Sequence, residues 1–481
     1  MPDILLFRWL LQPASMAGMD EYDFLVVGGG SAGYAGARTA HALGLRTAVI
    51  DGAAELGGLC ILRGCMPSKS LLESARRYRV IRNASEFGLS ASGSAFDITK
   101  IIARKRRLIA GFSDYRAGQL QDGRFDLIRG TAEFTGSHSL LVTSPDGSQV
   151  SIQAKTILVA SGSAISTPRV PGLADAGCLT SDDLLDRESI PESLVVLGGG
   201  PVALEMASYC RAFESKVTVV QRSQQILRGS DKDAADALAD GMRQDGIGIF
   251  TGTKLLRVEK NGSLRRVVFL HGDREKSIEG VEVLNALGRH AVIPDGLPVE
   301  IQEGKISVNF SQQTSQPHIF AAGDVCSPLE VVHVAIQQGE VAARNAARLL
   351  SGSNELLETM DYRLNLFAVF TEPGFASVGA SEAELAARGI PFRTAKYPFD
   401  DHGKSLVMGE TTGFVKLTAD ARSGEILGAS IVGPEAPELI HEIVVAMRFH
   451  ATAADIATTP HYHPTLSEIW TYPAEELADK E

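Results

Sequence analysis

The sequence predicts an α/β fold: two Rossmann-like dinucleotide-binding units followed by a smaller α+β segment. Three observations carry this expectation. A glycine cluster set between two β-branched runs occurs twice, at residues 23–51 and 193–222. Each copy contains the apolar-periodic helix that a βαβ crossover needs. After about Tyr362 the pattern changes to alternating strand and helix signals without a glycine cluster.

At 481 residues the chain exceeds one ordinary domain. Its 46 basic against 58 acidic residues leave a net charge of −12, which argues against general nucleic-acid or anionic-membrane binding. The run "RKRR" at 104–107 reads as the solvated face of a helix. Five cysteines are too few for a disulfide-stapled secreted fold, and Cys178, Cys210 and Cys326 read as small apolar residues. Residues 1–20 are apolar, but Arg8 interrupts them and no basic region leads them, so a disordered extension is expected rather than a secretory signal. No stretch approaches the ~20 apolar residues of a membrane helix, and the cytoplasm is the expected location.

In the first unit, "DFLVVGGGSAG" leads from strand to helix, with Gly28, Gly30 and Gly33 in the G-x-G-x-x-G places. In the second, "SLVVLGGGPVALE" supplies Gly198, Gly200 and Ala203. Such glycines let the backbone approach a pyrophosphate seated on the helix N-terminus. Asp51 and Gln221 occupy matching places, 23 residues after Gly28 and Gly198. Asp51 suits a ribose diol. Gln221 is followed by Arg222, with Arg228 nearby, and a 2′-phosphate would be attracted there rather than repelled. Two different dinucleotides are therefore expected, the second of them NADP.

Between the two units, "CILRGCMPSK" places Cys60 and Cys65 five apart, with Lys69 beyond. The pair by itself reads as a redox couple, half of a metal site, or two small core residues. Asp324 of "FAAGDV" suits a ligand hydroxyl or, alternatively, a helix N-cap. Near the end, "HYHPTLSEIW" contains His461, His463 and Glu468.

Taken in order, "GGGSAG", "GGLCILRGCMPSK", "VASGS", "GGGPVALE", "NALGR", "FAAGDV" and "HPTLSE" resemble the flavin-dependent pyridine nucleotide–disulfide oxidoreductases, the family of glutathione reductase, dihydrolipoamide dehydrogenase and mercuric reductase. The resemblance runs over residues 21–472. It implies an FAD-binding domain at 21–165, an NAD(P)-binding domain at 166–290, a second FAD-binding and central part at 291–361, and a C-terminal dimerisation domain at 362–481 that forms a homodimer. By the same resemblance, Asp51 holds the FAD ribose, Asp324 the ribityl chain, and Ala132, Gly162 and Gly288 complete the cofactor contacts. Cys60 becomes the interchange thiol of a redox disulfide and Cys65 the thiol against the flavin. Lys69, near the flavin N5, pairs with Glu205. His463, oriented by Glu468, becomes the acid–base group across the dimer, and no metal site is implied.

Physical reasons stand beside these roles. Residues five apart on an ideal helix, at about 100° each, point about 140° away from each other, so a bond between them needs distorted backbone, which Gly64 permits. Lys69 favours a neighbouring thiolate, and an imidazole backed by a carboxylate can carry a proton near neutral pH.

Departures narrow the substrate. The chain ends without the cysteine pair of mercuric reductases and keeps His463. Arg222 disagrees with the NAD use of dihydrolipoamide dehydrogenases. Ser31 and Arg38 match the substrate site of glutathione reductases, but Glu340 stands in place of a substrate-binding arginine and Pro201 in place of a gating aromatic. The expectation is an FAD-dependent oxidoreductase passing electrons from NADPH, in preference to NADH, to a small disulfide. The alternatives are dihydrolipoamide dehydrogenase-like activity, reduction of a metal ion or quinone, and a non-catalytic flavoprotein sensor.

Overall fold

The computed structural model describes residues 21–326 and 329–478, so the expected disorder of residues 1–20 lies outside the described residues. Its first sheet is nucleated by three parallel strands. Glu21–Val27 lies between Thr47–Asp51 and Gln149–Val159, with Val27 opposite Ile50 on one side and Val159 on the other. Ile319–Ala321 returns late in the chain to pair with the end of Gln149–Val159. These strands are covered on both faces, which is why they read as continuous apolar runs rather than alternating ones. The helix Ser31–Ala42 packs against Val332–Ser351 almost backbone to backbone. A Cβ on Gly339 would come within 2.2 Å of the Ala32 carbonyl oxygen. That approach explains the small residues on both helices.

The second unit repeats the plan in a four-stranded parallel sheet: Gly248–Phe250, Lys216–Val220, Ser193–Leu197 and Glu282–Asn285, with Pro201–Ala212 as its crossover helix. A meander of Thr253–Asn261, Leu264–His271 and Arg274–Gly280 covers it. The chain enters and leaves this unit through Ser163–Ile165 and Arg289–Ala291, which pair antiparallel as a two-stranded connector. One apolar core then runs from the first unit into the second and onward. It joins Leu71, Tyr78 and Ile102 to Leu204 and Phe213, and these to Val369 and Phe375.

The last segment is an antiparallel five-stranded sheet, in the order Leu366–Val369, Gly374–Gly379, Ile426–Gly433, Phe414–Asp420 and Phe392–Pro398. Helices Ala436–Arg448 and Thr471–Ala478 pack on it, with Trp470 fully buried between elements. Among the described residues no helix is long and apolar enough to cross a membrane.

Two expectations change. The "RKRR" run is a solvated face only in part: Arg104, Arg106 and Arg107 are exposed, but Lys105 is buried and ion-paired with Asp186, Arg106 bonds Glu188 and the Asp186 carbonyl, and Arg104 donates to Ser70 at 3.2 Å. Its cations dock the long helix Ile98–Leu120 onto the second unit. Of the three isolated cysteines, Cys210 and Cys326 are buried as expected, but Cys178 is only half-buried.

Lys416 joins the last sheet to the second unit. Its side chain is 0% exposed and its ammonium meets Asp231 at 2.6 Å, Asp233 at 2.9 Å and Glu382 at 3.0 Å. Removing one member of a buried ionic group leaves charge uncompensated, at a cost of roughly 3–5 kcal/mol. Asp233 and Glu382 keep 31% and 39% exposure and can regain water, which favours the lower end. Lys416→Met is therefore expected to destabilise the protein by about 3 kcal/mol, seen as a lower urea midpoint. An unchanged midpoint would contradict the assignment.

Candidate functional site

The first glycine loop is built for close approach. Gly28 has φ +105°, and a Cβ there would lie 2.4 Å from the Ala160 carbonyl oxygen; one on Gly33 would lie 1.8 Å from the oxygen of Gly28. The second loop repeats the first of these constraints, with Gly198 at φ +118° and 2.3 Å from the oxygen of Ala286. Its third place accommodates the buried methyl of Ala203.

Gly30 and Gly200 are different. Neither has a positive φ, and a Cβ on Gly200 meets nothing within 4 Å, one on Gly30 only the Cα of Gly58 at 4.0 Å. Nothing in the chain requires glycine at Gly200, and little does at Gly30. A pyrophosphate resting on the helix N-terminus does, so both loops fit a dinucleotide.

The strand-end residues separate the two loops. One carboxylate oxygen of Asp51 accepts from the Gly29 N–H and the other from the Ala53 N–H, each at 2.9 Å, leaving each oxygen capacity for a ribose hydroxyl. Gln221 instead packs its side chain under Gly199 and turns its amide oxygen to the Arg222 N–H at 3.0 Å. The Leu227 N–H donates to the Gly199 carbonyl at 2.8 Å, which brings Arg228 beside the same loop. Arg222 and Arg228 are exposed, and among the described residues neither guanidinium has a hydrogen-bond or ion-pair partner. Pro201 opens the crossover helix at its first position.

The connector lies close to the remaining cofactor candidates. Asp324 accepts from the Ser163 hydroxyl at 2.6 Å, and Ser163 also accepts from Arg289 at 2.8 Å. The N-cap reading of Asp324 fails, because Val332–Ser351 is capped by Val331. Gly162 (φ +74°) and Gly288 (φ +112°) flank the connector with open space over their Cα atoms, and Ala132 lies on the edge strand Thr131–Phe134.

The cysteine pair is mounted on the first loop. A Cβ on Gly58 would approach the Gly30 Cα to 2.7 Å, so the short helix Gly58–Leu62 that carries Cys60 sits directly against the pyrophosphate turn. The helix breaks at Arg63 and Gly64 and restarts as Cys65–Arg82. Gly64 takes φ −125°, ψ −115°, and a Cβ there would crowd the Leu59 oxygen at 3.0 Å. The break brings the two thiols together, and each shifts the other's ionisation. Interaction with Cys60 comes first among the causes that lower the Cys65 thiol to about 7, against its burial and with help from the Lys69 charge. The same interaction, then burial, pushes Cys60 up. Position at a helix N-terminus also favours the Cys65 thiolate.

Lys69 lies one turn further on. Its ammonium donates to both oxygens of buried Glu205, at 2.8 and 2.9 Å, and lies 4.6 Å from the Phe370 ring centroid. The Phe370 N–H donates to Glu205 as well, at 3.1 Å. On the far segment, His463 Nδ1 lies 3.0 Å from Glu468 Oε2; the His463 side chain is 79% exposed while Glu468 is buried. Among the described residues no interaction links His463 to Cys60 or Cys65 within one chain. His461 is a structural anchor, bonded to Glu442 at 2.7 Å and the Thr459 carbonyl at 2.8 Å. Among the described residues no His, Cys, Asp and Glu group is arranged to hold a metal.

Phe370 and His402 escaped the sequence reading. His402 is fully buried and lies 3.5 Å from the second oxygen of Glu468. Neither lies in a recognisable motif. In the substrate region Arg38 does not stand free: it pairs with Glu340 at 2.7 Å.

Comparison with known proteins accords with this geometry. Residues 22–339 match the model of the pyridine nucleotide-disulphide oxidoreductase family, and residues 367–474 match that family's dimerisation domain. The chain is 34% identical to the dihydrolipoyl dehydrogenase of Bacillus subtilis over 93% of its own length and 96% of the relative's. It is 31% identical to a mercuric reductase of Bacillus cereus, over 93% of this chain and 70% of the other. Among solved structures, the Cu(II) complex of a cysteine mutant of RclA, an HOCl-induced flavoprotein disulfide reductase from Escherichia coli, superposes with a TM-score of 0.83 at 26% identity. That match covers 95% of this chain and 99% of that one. These relatives are flavoprotein enzymes that pair FAD with a pyridine nucleotide. With two nucleotide loops, a thiol pair between them and a matching dimerisation segment, the chain belongs to the pyridine nucleotide-disulphide oxidoreductase family.

Proposed function

We propose that the protein is a homodimeric NADPH-dependent reductase of a small disulfide. The observation that carries this reading is the Cys60–Cys65 pair seated on the first glycine loop across the helix break at Gly64, with Lys69 one turn beyond it. When bound, NADPH and FAD supply an electron pair by hydride transfer to the flavin. The chain's own residues do the rest. Gly28, Gly30 and Gly33 receive one pyrophosphate and Asp51 a ribose; Gly198 and Gly200 receive the other, and Arg222 and Arg228 take a 2′-phosphate. Lys69 keeps a positive charge beside the Cys65 thiolate, and Glu205 holds Lys69 in place.

With both thiols reduced, Cys60 gives its proton to His463 of the partner subunit and attacks one sulfur of the substrate. The substrate S–S bond breaks, a mixed disulfide forms at Cys60, and the departing thiolate takes the proton from the imidazole. The Cys65 thiolate then attacks Cys60 Sγ, releasing the second thiol and leaving the Cys60–Cys65 disulfide. Per turnover, one disulfide, two electrons and two protons become two thiols, the second leaving thiolate taking its proton from solvent.

The Arg38–Glu340 pair bears on the substrate. A neutralised guanidinium offers little to the carboxylates of oxidised glutathione, so a less anionic disulfide suits the groove better. This favours a second reading within the same chemistry, lipoamide-like disulfides, in line with the dihydrolipoyl dehydrogenase relatives. The exposed arginines at the second loop still argue for NADPH.

Three outcomes test the proposal. Cys60→Ser should retain NADPH-dependent flavin reduction and lose disulfide turnover; full turnover in that variant would remove the mechanism. Arg222→Ala with Arg228→Ala should raise KM for NADPH by at least about tenfold, two charge-assisted contacts being lost, with little change for NADH. Equal or better kcat/KM with NADH in the unmodified enzyme would refute the cofactor assignment. In the reduced enzyme, Cys65 loses its proton as pH rises through about 7, and thiolate absorbance should grow over that range. Lys69→Met removes a charge that lowers the value, so the rise should move to higher pH.

A further inference from the structure

Behind the acid–base couple stands a second histidine. Glu468 presents Oε2 to His463 Nδ1 at 3.0 Å and Oε1 to His402 Nε2 at 3.5 Å. The two imidazoles differ in surroundings. His463 stands in solvent, whereas His402 is 0% exposed, at the N-terminus of the short helix Gly403–Met408. His402 Nδ1 lies 2.9 Å from the hydroxyl of Ser405, itself fully buried. Its Nε2 has no hydrogen-bond partner among the described residues, and at 3.5 Å the Glu468 oxygen is an electrostatic contact. Burial lowers His402 against the pull of Glu468, so the ring is neutral at neutral pH. The Ser405 hydroxyl can donate into Nδ1, and in that tautomer the ring proton sits on Nε2 and faces the carboxylate.

We propose that His402 is a positioning residue for the acid–base couple, its Nε2–H holding the Glu468 carboxylate in the rotamer that keeps Oε2 on His463. A neutral donor suits this task. An imidazolium would compete with His463 for the single negative charge, and an apolar side chain would leave the buried Oε1 without a polar N–H facing it. The inference rests on the reading of His463 and Glu468 as the couple that serves Cys60.

The test compares His402→Gln, which retains an N–H at about the reach of Nε2, with His402→Met, which fills similar volume without a donor. Two quantities are read in the holoenzyme dimer: the rate at which iodoacetamide alkylates Cys60 after reduction, and turnover with lipoamide against turnover with ferricyanide. Alkylation and lipoamide kcat should fall roughly tenfold in the Met variant, short of the ~10²–10⁴-fold carried by an acid–base group itself. Ferricyanide turnover should stay level, and the Gln variant should recover most of the loss. Ser405→Ala, a smaller change that frees the ring tautomer, should lower alkylation in the same direction and serves if the His402 variants do not fold.

His463→Ala is run in parallel. If it slows alkylation while Met and Gln at position 402 behave alike, His402 only fills space and the inference falls. If His463→Ala leaves alkylation and lipoamide turnover intact, the couple itself is misassigned and both readings fall together.

Discussion

The Lys69–Glu205 ion pair ties the two halves of the chemistry together. Lys69 rises from the helix that begins at Cys65, and Glu205 from the helix that opens on the second glycine loop. A third element enters through the Phe370 N–H, so one carboxylate gathers the thiol helix, the second nucleotide unit and the start of the last sheet. Because Glu205 is buried, losing Lys69 would strand a negative charge, a penalty that keeps the three elements in register. The apolar core through Leu71, Leu204 and Val369 follows the same line of contact. Packing energy and electrostatics thus converge where electrons would cross from one unit to the other.

The two nucleotide units show how one architecture is set to two tasks. Gly28 and Gly198 have the same strained turn against the next strand, as the shared βαβ geometry demands. Divergence is confined to the strand ends. Asp51 takes one backbone amide on each oxygen, with Arg129 at 3.8 Å, and keeps further acceptor capacity for hydroxyls. Gln221 folds beneath Gly199 and leaves the rim to two exposed guanidiniums, neither partnered among the described residues. The fold therefore constrains where a dinucleotide lies, and a few rim side chains decide which one.

Local chemistry was legible in the sequence wherever it is contiguous. The strand–turn–helix setting of the glycine loops and the helix break at Gly64 between Cys60 and Cys65 were legible because their residues sit within a few positions of one another. What escaped was made by the fold. The "RKRR" run looked solvated, and only the docking of Ile98–Leu120 onto the second unit reveals Asp186 and Glu188 opposite it. The N-cap alternative for Asp324 likewise depended on where the following helix starts, which is at Val332. His402 carried no signal, since a lone histidine in "FDDHGKS" has no periodicity or partner until the sheet brings Glu468 beside it.

The exposure of His463 follows from the division of labour between the two ends of the chain. Its partner Glu468 is buried in the short 3-10 turn Ser467–Trp470, beside fully buried Trp470, so the carboxylate is held in place. The imidazole itself stands 79% exposed, with Nδ1 turned to Glu468. Cys60 lies on the short helix Gly58–Leu62 of the first unit, pressed onto the first glycine loop by the approach of Gly58 to Gly30. A rigid base facing outward and a rigid thiol with no base of its own are each incomplete. In the homodimer we propose, pairing two chains through the dimerisation segment would complete both at once, with a disulfide received between them.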